Sequence, residues 1–315
     1  MGLKIRPWQA ADQNRDFRKE DMRYILENSE LRAEIDTFGA EIKSVVRKSD
    51  GREYIWCGDP AVWGRTAPVL FPFVGALNGR KYTFEGRDYP MPSHGFARDL
   101  EHEVIKKSDT EICFSLKDNA ATYKNYPFHF EFQNSYRLDG DRIYVTWKVL
   151  NPGQDRTDQK LYFSVGAHPA FACPIHGEKD KTGYKLFFEG LSEVHHHGNL
   201  TGTCTREDLT LPLTDNRAVI DSAFFERSTY IVENRQTGSV GIEDPAGHRY
   251  ITVDFDMPLF AVWSPAEKNA PFICIEPWCG RADYDDYTGD LPSREYGNTL
   301  RSGENFENTY SIRFE

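Results

Sequence analysis

"FHFEFQNSYRLDGDRIYVTWKVL", residues 128–150, decides the fold. Phe128, Phe130, Phe132, Tyr136 and Leu138 hold even positions up to Asp139-Gly140, after which Ile143, Val145, Trp147 and Val149 hold odd ones. Successive side chains of a strand point to opposite faces, so apolar residues two apart build one buried face, and Asp-Gly is a favoured hairpin turn. The stretch reads as a β-hairpin with one face on a core. Working outward, Val240 and Ile242, the turn "DPAGH", then Ile251, Val253 and Phe255 predict a second hairpin. Shorter alternations occur at Leu31, Ala33, Ile35 and at Ile112, Phe114, Leu116, and "SDGREYIW" (49–56) reads as a turn followed by a strand. Many short strands punctuated by Gly and Pro, with almost no 3.6-residue period, predict an all-β sandwich or barrel. Only residues 11–27 are compatible with a helix. Residues 1–23 are read as an N-terminal extension and 24–315 as one β-domain.

The chain has 315 residues, of which 39% are hydrophobic and 14% aromatic, enough to bury a sizeable core. Its formal charge of −11 and lack of a basic run repel phosphate backbones and anionic lipid, so neither nucleic acid nor a membrane is an expected partner. The first residues lack the apolar segment of a signal peptide, and no stretch approaches the ~20 apolar residues of a span, which leads us to expect a cytoplasmic protein. Six scattered cysteines (57, 113, 173, 204, 274, 279) then read as buried thiols, and the spacing of Cys274 and Cys279 without a suitable histidine argues against a structural zinc site. The run His195-His196-His197 is expected in an exposed loop, since neighbouring strand residues diverge. "RADYDDYTGDLPSREYGNT" (281–299) lacks the calcium-loop spacing and reads as a solvated surface loop.

There is no Gly-rich phosphate loop and no Gly-x-Ser-x-Gly elbow. What stands out is polar groups set among apolar ones. Arg65 enters "WGRTAPVLFPFVG" (63–75), either snorkelling to solvent or presenting its fork of donors to a ligand. His94 lies in "MPSHGFARD" (91–99) and His168 in "FSVGAHPAFACP" (163–174), both beside small residues that leave room for a ligand or fill a core. Glu276 sits in "FICIEPWCG" (272–280), where a carboxylate is costly unless paired or functional. A carboxylate held in apolar surroundings is raised toward neutrality, which suits a general base; a histidine opposite could act as the acid. Trp56, Phe96 or Trp278 could pack on the apolar face of a sugar. These residues by themselves predict an acid–base site for a polar small molecule.

The ordered motifs "EYIWCGDPAVWGRTAPVLFPFVG" (53–75), "HGFARD" (94–99), "GAHPAF" (166–171) and "IEPWCGRADY" (275–284) resemble the aldose 1-epimerase (galactose mutarotase-like) family, in its LacX-like branch. The resemblance runs from about Tyr24 to the end of the chain. It implies a large antiparallel β-supersandwich and interconversion of the α and β anomers of an aldose without metal or organic cofactor. It also implies Glu276 as the base at the C1 hydroxyl and His168 as the acid at the ring oxygen, with His94 and Arg65 holding sugar oxygens. A substrate-binding aspartate falls at Asp221 in "AVIDSAFF" (218–225), with Asp254 in reserve. "RTAPVLFPFVG" departs from the Gly-Arg…Asn-Arg segment of the galactose enzymes. Arg98 stands where the hexose-6-phosphate branch would hold a phosphate, or else pairs with Asp99 or Glu101. The expected partner is a small-molecule sugar, with a homodimer left open. A non-catalytic sugar-binding or sensing module, and a lyase or hydrolase on the same sandwich, are the rival readings.

Overall fold

The computed structural model describes residues 22–153, 159–198, 202–226, 229–266 and 269–315. The hairpin predicted at 128–150 forms: Glu131–Asp139 and Arg142–Leu150 pair antiparallel with Leu138 opposite Ile143 and Phe132 opposite Val149, and their burial alternates residue by residue. It belongs to a nine-stranded sheet whose neighbours run Arg217–Val219, Lys185–Phe188, Ser239–Glu243, Arg249–Phe255, Asn305–Phe314, Arg142–Leu150, Glu131–Asp139, Glu111–Lys117 and Glu103–Lys107. The second predicted hairpin lies in it too, with Val240 opposite Val253 and Ile242 opposite Ile251.

A six-stranded sheet packs against the large one. Its order is Thr229–Val232, Leu259–Trp263, Phe272–Cys279, Val165–Ala167 and Val69–Leu70, with Ala170–Ala172 also pairing Phe272–Cys279. Aromatic rings join the two layers: Phe71 stacks on Phe132 at 4.6 Å, and Phe260 meets Phe255 at 5.3 Å. This is the two-layer solution that lets each sheet bury an apolar face.

Residues 23–27, part of the helix-compatible stretch, form a strand instead. Arg23–Glu27 pairs with Leu31–Asp36, placing Leu26 opposite Ala33, both fully buried, so pairing and burial override local propensity. Residues 1–21, which carry the rest of that reading and most of the extension, lie outside the described residues. No helix among the described residues is long and apolar enough to cross a membrane.

Register fixes what each face of the smaller sheet does. Phe260 and Val262, with Ile273 and Ile275 beside them, point into the main core. The pairs Leu259–Trp278, Ala261–Glu276 and Trp263–Cys274 turn the other way. Glu276 is thus placed by simple alternation on the face away from the core, between an apolar cluster around Trp278 and Leu259 and another around Phe272 and Cys274.

Candidate active site

Glu276 stands at the middle of a strand that is buried on both faces, with its carboxylate 1% exposed. His168 comes from the short break between Val165–Ala167 and Ala170–Ala172, both of which pair with that strand, so the histidine is delivered beside the carboxylate. Its Nδ1 lies 3.5 Å from Glu276 Oε1. Gly166 is required here: a Cβ on it would stand 2.6 Å from the Trp278 ring, whose Nε1 donates to the carbonyl of Ala167. Trp278 therefore ties the strand Phe272–Cys279 to Val165–Ala167 beside Glu276.

The segment 91–99 supplies the next wall. His94 adopts φ 67°, a left-handed conformation uncommon for a residue with a side chain, and Gly95 follows at φ 69° with the carbonyl oxygen of Phe71 only 2.2 Å from where a Cβ would sit. This tight turn brings the His94 ring to 5.5 Å from that of His168. The backbone N–H of Gly75 donates to His94 Nδ1, so a neutral His94 carries its proton on Nε2 and can donate from there.

Arg98 and Arg65 complete the polar side. Arg98 donates to the carbonyl of Ser93, while its buried Nε makes no hydrogen bond. Arg65 holds Asp99 at 2.6 Å and also reaches the carbonyl of Arg98, so it is neither a snorkel nor a free fork. Of the two pairings expected for Arg98, that with Asp99 is present at 3.9 Å.

Burial dominates the electrostatics. It raises the Glu276 carboxyl well above its usual range, and it drives His168 down to about 3, helped by repulsion from Arg98 and Arg65. His94 is lowered for the same first reason, and Arg98 falls to about 10. Among the described residues, five buried side-chain atoms have no hydrogen-bond partner, and three of them, Glu276 Oε2, His168 Nδ1 and Arg98 Nε, belong to this one site. Buried polar atoms without a protein partner are rare and call for water or a ligand, so three on neighbouring side chains make this the candidate site.

Several site residues were not singled out from the sequence. Trp63 stacks on His168 at 5.0 Å and on Phe272 at 5.4 Å, and Trp263 meets the His168 ring edge-on at 5.2 Å. These are the aromatic walls. Nothing in the sequence pattern of residues 53–75 distinguishes Trp63 from Trp56, whose indole N–H donates to the carbonyl of Trp63. Cys274 shares the face of Glu276, two residues away.

Other expectations fall elsewhere. Phe96 is 7% exposed and packs edge-on against Phe71 and Tyr126, so it is a core residue rather than a sugar platform. Asp221 is exposed, caps the backbone N–H of Ala223, and lines an open depression of about 750 Å³ with Arg217 and Tyr230 that contains none of the site residues. The reserve candidate Asp254 is held by Arg142 and Ser239 in the large sheet. His195 and His196 lie in a strand rather than an exposed loop, and His196 is buried against Tyr230. The segment 281–299 is solvated only in part, because Arg281 and Arg294 are buried in ion pairs. Five of the six cysteines are buried and all are free; Cys57 is exposed.

The sequence profile of the aldose 1-epimerase family matches residues 22–313. The chromosomal protein LacX of Lactococcus lactis subsp. lactis is 31% identical over 265 residues, covering 81% of this chain and 87% of that protein. The crystal structure of a galactose mutarotase related enzyme from Lactobacillus acidophilus superposes with a TM-score of 0.87 at 32% identity, over 93% of this chain and 97% of the other. A galactose mutarotase-like protein from Lactobacillus casei gives 0.85 at 30% identity, over 93% and 100%.

Proposed function

The chain belongs to the aldose 1-epimerase family, and from that premise we propose that it interconverts the α and β anomers of a hexose or hexose 6-phosphate between Glu276 and His168. The observation that carries this reading is that Glu276 and His168, buried and 3.5 Å apart, each keep a side-chain atom without a hydrogen-bond partner. Glu276 takes the proton of the C1 hydroxyl while His168 protonates the ring oxygen. The ring opens to the aldehyde, the C1–C2 bond rotates, and reclosure on the other face of the carbonyl reverses both transfers.

The proton count explains why burial helps. The closed sugar faces carboxylate and imidazolium, whereas the open aldehyde faces carboxylic acid and neutral imidazole, so the pair loses its charges as the ring opens. A dry site that raises Glu276 and lowers His168 favours the uncharged pair, so the carboxylate–imidazolium form from which the ring opens is the higher in energy and depends on hydrogen bonds from the bound sugar. Arg98 sharpens this by making the imidazolium a stronger acid. Mutarotation already proceeds in water, and acid–base help of about 10²–10⁴-fold with positioning is a sufficient contribution. His94 Nε2 and the Arg98 guanidinium are the donors to sugar oxygens, and Trp63 is the platform for the ring's apolar face.

Polarimetry or exchange NMR of freshly dissolved α-glucose, α-galactose and glucose 6-phosphate tests the reading. Acceleration of one sugar, lost in Glu276→Gln, is expected. Binding of a sugar whose anomers equilibrate at the buffer rate would instead indicate a sugar-binding module.

A further inference from the structure

Cys274 has no part in that chemistry, yet it lies on the same face as Glu276 and beside it. A ligand atom of Cys274, one of His168 and one of Glu276 all lie within 4.8 Å of one another, and all three residues are buried. We propose that these three side chains form a binding site for a thiophilic divalent cation, with Zn²⁺ the best match, and that its occupation shuts down anomer interconversion. The inhibitory half rests on the reading above; the binding half does not.

Three observations support the site. The donor set is one nitrogen, one sulfur and one oxygen, the combination that Zn²⁺ accepts while keeping a fourth position open. With metal–ligand distances of about 2.0–2.3 Å, tetrahedral ligands stand roughly 3.3–3.6 Å apart. The 3.5 Å between His168 Nδ1 and Glu276 Oε1 already meets this, so the widest pair has to close by only about 1 Å. Moreover, His168 Nδ1 is buried without a hydrogen-bond partner, and a cation would satisfy it.

Charge also balances. Binding converts the Cys274 thiol to thiolate and leaves Glu276 as carboxylate, releasing their protons to solvent. The dication with two anionic ligands and a neutral imidazole is then a neutral unit, which a dry pocket beside Arg65 and Arg98 accepts where a bare dication would be repelled. No electron moves. The ligated nitrogen and oxygen are the atoms that the reaction needs, so an occupied site cannot transfer protons to a sugar.

The test uses the full chain, stripped with a chelator and titrated with Co²⁺ as a spectroscopic probe and with Zn²⁺ in a metal buffer. One equivalent of Co²⁺ should give a thiolate-to-metal charge-transfer band that Zn²⁺ abolishes. The band should persist in Cys57→Ser and vanish in both Cys274→Ser and Cys274→Ala; two variants guard against one failing to fold. In the same proteins, the Zn²⁺ concentration that halves sugar turnover, relative to each variant's own metal-free rate, should rise by at least about 100-fold when Cys274 is replaced, at or beyond the top of the 10–100-fold range for losing an outer partner of a ligand. No band in the unmodified chain, or a band that survives in both Cys274 variants, overturns the site. A band lost with Cys274 in a protein that never turns over sugar upholds the metal site and overturns the epimerase reading, while turnover without any metal binding does the reverse.

Discussion

Arg281, just beyond the end of the strand Phe272–Cys279, and Arg294, farther along the loop that follows, are buried as Glu276 on that strand and His168 beside it are, yet the two clusters are assembled by opposite rules. At the strand end Arg281 pairs with Glu233 and Glu295 and lies over the Tyr284 ring, Tyr296 donates to the other oxygen of Glu233, and Arg294 holds Asp283, whose second oxygen accepts from the backbone of Asn78. No buried side-chain atom of that network lacks a hydrogen-bond partner, whereas three of the central cluster do. A complete network ties loop 281–299 to the sheet. An incomplete one is where the candidate site lies, because water or a ligand has to complete it.

The sharpest way to break this comparison is to neutralise Glu276. Glu276→Gln keeps shape and volume, so turnover of the responsive sugar should fall by about 10²–10⁴-fold. Stability to urea should hold or rise, since the wild-type carboxyl is buried with one oxygen unpaired. A variant that loses both activity and stability would make Glu276 part of the scaffold and erase the distinction. Arg281→Met is the converse. It strands Glu233 without its main partner and should destabilise the fold by about 3–5 kcal/mol in equilibrium unfolding, while the folded fraction retains the wild-type rate per molecule.

How much of this was legible in the sequence follows from the same contrast. Alternation is a local property, so both hairpins, and Glu276 as a misfit in "FICIEPWCG", could be read directly. The partners of a buried group are not local. Nothing in the spacing of 281–299 indicates that Arg281 reaches back to Glu233, and so the segment read as a surface loop. Trp63 was missed because its stacking on His168 joins segments over a hundred residues apart, and Phe96 was misplaced because a turn at His94-Gly95 sends it inward. The four motifs in order pointed to the family, but identified the aspartate only weakly.

His102 shows that one unpaired atom does not make a site. It is as buried as His168, and its Nδ1 is also unpartnered, but its Nε2 bonds the carbonyl of Ala97 and its ring lies edge-on to Phe132, with no acid beside it. Burial pushes it down to about 4 from 6.5. A histidine depressed in the folded state contributes stability above the unfolded value, and loses it as the pH falls through the folded one. His102→Gln should therefore lose about 3 kcal/mol less than wild type between pH 6.5 and pH 4 in unfolding experiments, with turnover at neutral pH retained. Equal acid limbs would mean that His102 is hydrated in solution.

The smallest effect is expected where sequence reading and geometry part most plainly. Asp221 sits in a motif short enough to be matched by accident, and its carboxylate is occupied with the backbone of its own turn. The depression it lines contains neither Trp63 nor any of the buried atoms left without a hydrogen bond. Asp221→Asn preserves the acceptor oxygen that the turn uses, so the turn itself should hold. If the site is defined by its missing partners, kcat/KM for the responsive sugar should stay within about twofold of wild type, less than 0.5 kcal/mol in transition-state stabilisation. A rise in KM of tenfold or more, about 1.4 kcal/mol of lost binding, would show instead that the loop after Arg217–Val219 closes over a bound sugar, and that the aspartate reaches the site only when substrate is there to receive it.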